Sequence, residues 1–385
     1  MSSSPPASAT LADWRQPPHQ RLAFRQVPSI LSTATVGHDP AQAAPLPGAS
    51  IDWSAFRVDA RGTPLDLATF LRRTHSDAFV VLRHGCIVGE WWDEGMTPST
   101  LHILMSATKS VVGLLCGVLA GEGRLDMDAP ATRYVPEVAR TGYAGATVRQ
   151  LLDMRADARL DTEDLRRYAA ATGWDPVPEG TPREGLHRFL AGLPAREPAH
   201  GGPFRYVSAN TDLLGWVLER AGGAPLATLL SDRLWRPLGA QHDAAVTLDW
   251  EGAPRATGGL CSTLHDFARI GQLVLDGGRR GDTQIVPAEW IADIAVEGDR
   301  EAWAAGEFAQ AFGRRPMHYR SGWYVLDGEQ PLVFAMGIHG QHVFVDAARG
   351  LVIAKLSAYP QALDGDATAL TLRAVEAIRR FVDAT

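Results

Sequence analysis

Two of the 385 residues are lysine, Lys109 and Lys355, while 35 are arginine. In a chain that supplies positive charge almost entirely with Arg, a lysine marks a place where Arg would not serve. A guanidinium stays protonated in a protein, whereas a desolvated ammonium can lose its proton and become a base. Lys109 stands three residues after Ser106, in Ser106-Ala107-Thr108-Lys109, a spacing that puts both side chains on one helix face. A hydroxyl beside such an amine is a nucleophile–base pair for attack on a carbonyl. With 17 serines in the chain, that spacing arises by chance about one time in ten, so its surroundings must carry the argument.

A second polar cluster, Phe204-Arg-Tyr206-Val-Ser208-Ala-Asn210, precedes an apolar helix. Tyr206 can accept and deliver a proton if a neighbouring lysine lowers its pKa; it can equally be a half-buried core ring. Asn210 is expected to cap the helix that follows. His339 and His342 form an H-x-x-H with no carboxylate or third histidine positioned near it, so no metal is expected. Lys355, in Val-Ile-Ala-Lys-Leu-Ser, reads as structural or as part of a pocket rim.

The elements that must position these groups follow from patterning. Residues 1–48 hold Pro, Ser and Ala clusters, the mark of an arm disordered at its tip and draped over the body around Trp14 to Ile30. Residues 78–92 are two β-rich runs joined by His84-Gly85, a hairpin signal. The Ser106 segment continues as a helix to Gly121-Glu-Gly123, and Thr147 caps another. Helices are expected at 184–193, 211–221 and 226–234, a helix from Ser262-Thr263 to Leu275, strands at 322–326, 333–338, 343–345 and 351–356, and a last helix over 368–382. The fold class is α/β (α+β): an antiparallel sheet built from both chain ends and flanked by helices, with a mostly helical inserted lobe. The division is an arm (1–48), an α/β lobe (49–155 and 255–385) and a helical lobe (156–254).

Composition narrows the function. A net charge of −7, a pI near 5.9 and the lack of any basic run argue against a nucleic-acid partner. Cys86, Cys116 and Cys261 are odd in number and set among apolar residues, which suits buried thiols in a reduced compartment. No basic segment followed by an apolar one opens the chain, and no apolar run approaches membrane-spanning length; a cytoplasmic protein without membrane association is expected. No phosphate-binding loop, dinucleotide fingerprint or H-E-x-x-H is present, and no cofactor is expected.

Taken in order, Ser106-x-x-Lys109, Tyr206-x-Ser208-x-Asn210, the Gly258-Gly259-Leu-Cys-Ser-Thr run and Gly337-Ile-His-Gly-Gln341 resemble the serine β-lactamase-like hydrolases. The branch most similar holds 6-aminohexanoate-dimer hydrolases and related carboxylesterases, and the resemblance runs from about Trp14 to the C-terminus. It implies a β-lactamase/transpeptidase-like fold, Ser106 as acylated nucleophile, Lys109 as base and Tyr206 as proton donor to the leaving group. It implies an oxyanion hole from the backbone N–H groups of Ser106 and Ile338, with Gly337 allowing close approach. Ser208, Asn210, His339, Trp174 and Trp323 are expected to contact substrate, and Trp303 to join the pocket.

Two departures bear on substrate. Ala335 stands where β-lactamases and peptidoglycan peptidases place a cationic residue, which argues against both activities. Leu165 matches a tyrosine that the nylon-oligomer branch holds over the site, which favours esters over amides; Tyr168 is a candidate substitute. The implied activity is hydrolysis of small carboxylic esters and of linear 6-aminohexanoate-type amides through an acyl-enzyme. The alternatives are a β-lactamase or D-Ala-D-Ala peptidase, or a catalytically silent binding protein on the same fold. A small-molecule substrate and a homodimer are the expected partners.

Overall fold

The computed structural model describes residues 9–177 and 179–384. The arm's tip, expected to be disordered, lies outside the described residues except for Ala9 and Thr10. A seven-stranded antiparallel sheet runs in the order Met317–Arg320, Trp323–Leu326, Leu332–Gly337, Gln341–Asp346, Leu351–Ser357, Ser76–Arg83, Cys86–Trp92. Pairing of Leu351–Ser357 with Ser76–Arg83 joins the two chain ends into one sheet. The hairpin turns at His84 and Gly85, both at positive φ, as a tight two-residue hairpin turn requires.

Alternation along the central strands sorts side chains between two layers. Val80, Leu82, Val343, Val345, Val352 and Ala354 face the helices Thr108–Gly121 and Leu264–Leu275. Phe79, Val81, Phe334, Phe344 and Ile353 face the C-terminal helix Gly365–Ala384 through Leu370, Val375 and Ile378. At Gly271 a Cβ would come within 2.6 Å of Val352 and 2.7 Å of Val343, so glycine sets how closely its helix packs on the sheet.

The stretch 156–254 carries the helices Thr162–Ala171, Leu186–Ala191, Ser208–Gly222 and Leu226–Leu230, joined by longer irregular segments than expected. Their apolar faces join the same core as the helix Thr108–Gly121. This stretch also holds a strand, Ala244–Thr247, of a four-stranded sheet with Thr33–Val36, Leu260–Ser262 and His102–Ile103. The arm is thus tied to the body both by strand pairing and by charge. Its Arg21 and Arg25 pair with fully buried Asp77, whose other carboxylate oxygen meets His102 Nε2 at 3.0 Å. Among the described residues no helix is long and apolar enough to cross a membrane.

Candidate active site

Ser106 sits in a single 3-10 turn, Met105–Ala107, that runs directly into the helix Thr108–Gly121. Met105 before it has φ +48, a region that side chains avoid, at a cost of order 1–3 kcal/mol. Its buried side chain is held in place by the cluster of Trp14, Phe24, Ile103 and Trp174. The helix is fixed on the sheet by near contact of backbones. A Cβ on Gly113 would fall 2.0 Å from Ser321 O, Gly322 takes φ +84, and Ser110 Oγ donates to Gly322 O at 2.6 Å.

Lys109 is 2% exposed, with Nζ 3.1 Å from Ser106 Oγ and 3.0 Å from Thr257 O. Burial drives its pKa well below the ordinary lysine value; buried Asp212 opposes that shift and Arg255 reinforces it. Arg255 Nη1 donates to Asp212 and, at 2.6 Å, to the Tyr168 hydroxyl, which itself donates to Asp212. Asp212 Oδ1 accepts from Thr257 N at 3.0 Å. The carbonyl that accepts a hydrogen bond from Lys109 Nζ is therefore pinned through a buried ion pair. Sequence reasoning missed this network; the one available signal was the pair of charges, Asp212 and Arg255, in otherwise apolar surroundings.

Tyr206 places its ring centroid 4.6 Å from Lys109 Nζ and stacks on Phe308 at 5.1 Å. Its backbone N–H donates to Glu307 Oε1 at 2.6 Å. Burial raises its phenol pKa, while a hydrogen bond with the Ser106 side chain pulls it down. The Gly337 backbone abuts the Ser106 turn: a Cβ there would lie 2.5 Å from Leu104 O and 3.0 Å from Ser106 N. Ile338 follows directly. Three segments thus meet at Ser106: its own helix start, the Tyr206 loop and the end of a central strand. The arrangement offers a nucleophile, a desolvated amine and a phenol in mutual reach, the requirements of acyl transfer.

Other expected site residues are distributed differently. Trp174 lies nearby: a Cβ on Gly258 would sit 3.4 Å from its ring and 3.6 Å from the Met105 backbone. His339, 3% exposed, lines a cleft of about 260 Å³ with Ile338, its Nδ1 donating to Tyr359 O at 2.7 Å. Ser208 begins its helix half-buried. Asn210 is not the N-cap, a position held by Val207. It is inside the first turn, with its amide spent on Ala156 O and on the Tyr143 hydroxyl.

Trp323 is fully buried in the core layer shared with the helix Thr108–Gly121; strand alternation, invisible at a four-residue strand, put it there. Trp303 packs in the opposite layer. Leu165 is 52% exposed on the outer side of its helix, and Tyr168 three residues on is committed to Asp212.

Lys355 is interior, not at a rim: it is 1% exposed and donates to Thr74 O, to Ser357 Oγ and to the Tyr359 hydroxyl. Burial lowers its pKa to about 7. His342 lies across from it in register, stacked on Phe344, its own pKa lowered by burial to about 3. All three cysteines are free, and burial pushes the Cys116 thiol up to about 12, where it is no nucleophile. Among the described residues no group of three or more His, Cys, Asp or Glu could hold a metal ion.

The β-lactamase family model matches residues 66–377. The 6-aminohexanoate-dimer hydrolase of Paenarthrobacter ureafaciens is 36% identical over 359 residues, covering 91% of this chain and 88% of that one. Esterase EstB of Burkholderia gladioli is 28% identical over 229 residues, 54% of this chain and 57% of its own length. A solved Bacillus anthracis structure, provisionally described as a 6-aminohexanoate-dimer hydrolase, superposes with a TM-score of 0.89 at 24% identity, covering 100% of this chain and 99% of that one. By the family model, the relatives and the shared fold, the chain belongs to the β-lactamase family and is a hydrolase on the serine β-lactamase fold.

Proposed function

We propose that this hydrolase works through Ser106, Lys109 and Tyr206 on small carboxylic esters and, less readily, on linear amides of the 6-aminohexanoate type. The observation that carries the reading is the Lys109 amine, desolvated and 3.1 Å from Ser106 Oγ, beside the Tyr206 ring. Neutral Lys109 takes the Ser106 proton as Oγ bonds to the substrate carbonyl carbon. The oxyanion is met by the N–H groups of Ser106 and Ile338, at the Gly337 approach. Tyr206 passes a proton to the departing alcohol or amine as its bond to carbon breaks, and is reprotonated from Lys109. Water then attacks the acyl-enzyme, its proton returns through the same groups, and the acid leaves with Ser106 restored.

Preference for esters is supported by the placement of Leu165 and Tyr168. A leaving amine needs more help than an alcohol, and neither residue supplies a free hydroxyl over the site. Ala335, fully buried in its strand, offers no cation to a β-lactam or peptidoglycan carboxylate.

The test is hydrolysis of p-nitrophenyl butyrate beside the linear 6-aminohexanoate dimer, with Ser106→Ala and Lys109→Arg as controls. The expected result is ester turnover that both substitutions abolish, with slower amide turnover abolished alike. Turnover surviving in Lys109→Arg would overturn the mechanism, because arginine cannot serve as the base.

A further inference from the structure

The cleft that holds Ile338 and His339 has its other wall in the N-terminal arm, where Trp14 and Arg15 face Asp175. The two indoles are locked together: Trp14 Nε1 donates to Trp174 O at 3.0 Å, and their rings meet edge-on at 5.2 Å. The Arg15 guanidinium lies 5.4 Å from the Trp14 ring and 5.7 Å from that of Trp174. Such contacts hold a guanidinium in place without consuming its hydrogen-bond donors. Only Nη2 is used, on Asp175; Nε and Nη1 have no protein acceptor among the described residues. A restrained guanidinium with unused donors is preorganised for a second carboxylate.

We infer that Arg15 forms a subsite for a free carboxylate on the substrate, in the cleft beside Ile338, and that Asp175 occupies the guanidinium when no such substrate is bound. The inference rests on the acyl-hydrolase reading for the position of the reacting carbonyl. The substrate class it selects is the anionic one: half-esters of dicarboxylic acids and amides ending in a free carboxylate. His339 suits the floor of such a site. Its Nδ1 is spent on Tyr359 O, and burial keeps the ring neutral, so it adds no competing charge. Trp174 links the subsite to the Ser106 turn, since its ring and the Met105 backbone both lie against Gly258 and the two side chains share one cluster.

The experiment compares kcat/KM for monoethyl adipate and ethyl hexanoate, which differ in one terminal carboxylate, in wild type, Arg15→Gln and Asp175→Asn. The anion-to-neutral ratio is expected to fall about tenfold or more in Arg15→Gln, mainly through KM, and to shrink in wild type at high salt. Asp175→Asn, which removes the rival carboxylate, is expected to raise it about threefold. An unchanged ratio in Arg15→Gln, or a fall in Asp175→Asn, would overturn the subsite. Calorimetric binding of adipate to Ser106→Ala protein, lost on adding Arg15→Gln, reads the subsite without catalysis. No adipate binding there would overturn it even if ester turnover is normal, whereas binding without ester turnover would indict the acyl-hydrolase reading alone.

Discussion

Replacing Gly337 with alanine tests the geometry of the proposed oxyanion site with one methyl group. Gly337 has φ −128 and ψ 151, ordinary strand values that alanine adopts freely, so the substitution brings no conformational conflict. Its methyl, however, would sit 2.5 Å from Leu104 O and 3.0 Å from Ser106 N, atoms of the backbone that cannot rotate away. Reaching ordinary contact near 3.4 Å requires the strand end and the Ser106 turn to part by about 0.9 Å. Overpacking of this kind costs about 1–3 kcal/mol of stability, which a fold of this size tolerates. Catalysis is less forgiving: a displacement near 1 Å between oxyanion donors and nucleophile lowers kcat by about 10². Steady-state hydrolysis of p-nitrophenyl butyrate reads this, with a thermal melt to show that the variant folds. Gly328→Ala is the control, since a Cβ there meets nothing within 4 Å. A folded Gly337→Ala enzyme with kcat within about threefold of wild type would refute the claim that this contact sets the oxyanion geometry.

Lys109→Arg should leave no turnover of the same ester above background at any pH between 6 and 9. In the wild-type enzyme the rate should rise with pH through a pKa well below that of a free lysine, because burial favours the neutral amine. Arg255→Met removes a like charge and should move that acid limb to higher pH; a shift to lower pH, or none, would refute the electrostatic role of Arg255. Lys355 bears on stability. With a folded pKa of about 7 and an ordinary value when unfolded, the unfolded chain binds the extra proton between those limits. Its contribution therefore improves as pH rises above about 7, and its penalty is complete below that. Urea midpoints at pH 7 and pH 9 should differ less in Lys355→Met than in wild type.

Local chemistry made parts of this molecule readable from residue order. His84-Gly85 announces a hairpin because both positions need positive φ, and Thr147 and Thr263 cap their helices through their own hydroxyls. Ser106 and Lys109 meet because three residues along a helix start are neighbours. The four-stranded sheet was not foreseen: strands of two to four residues, such as His102–Ile103 and Thr33–Val36, carry too few alternations to register as a period. Met317–Arg320 escaped for the same reason. Trp323 shows the limit for side chains, since which sheet face an aromatic enters depends on the register its strand takes with both neighbouring strands. The Asp212–Arg255–Tyr168 network joins positions more than 40 apart, and nothing in local order brings them together.

The burial of both lysines has a practical corollary for handling the molecule. Lys109 and Lys355 are 2% and 1% exposed, so the outer positive charge rests on guanidinium groups. Amine-directed reagents such as activated esters or aldehydes would find no accessible side-chain amine on the folded protein. The same protein would be poorly fixed by glutaraldehyde, and cleavage after lysine by a specific protease would first require unfolding.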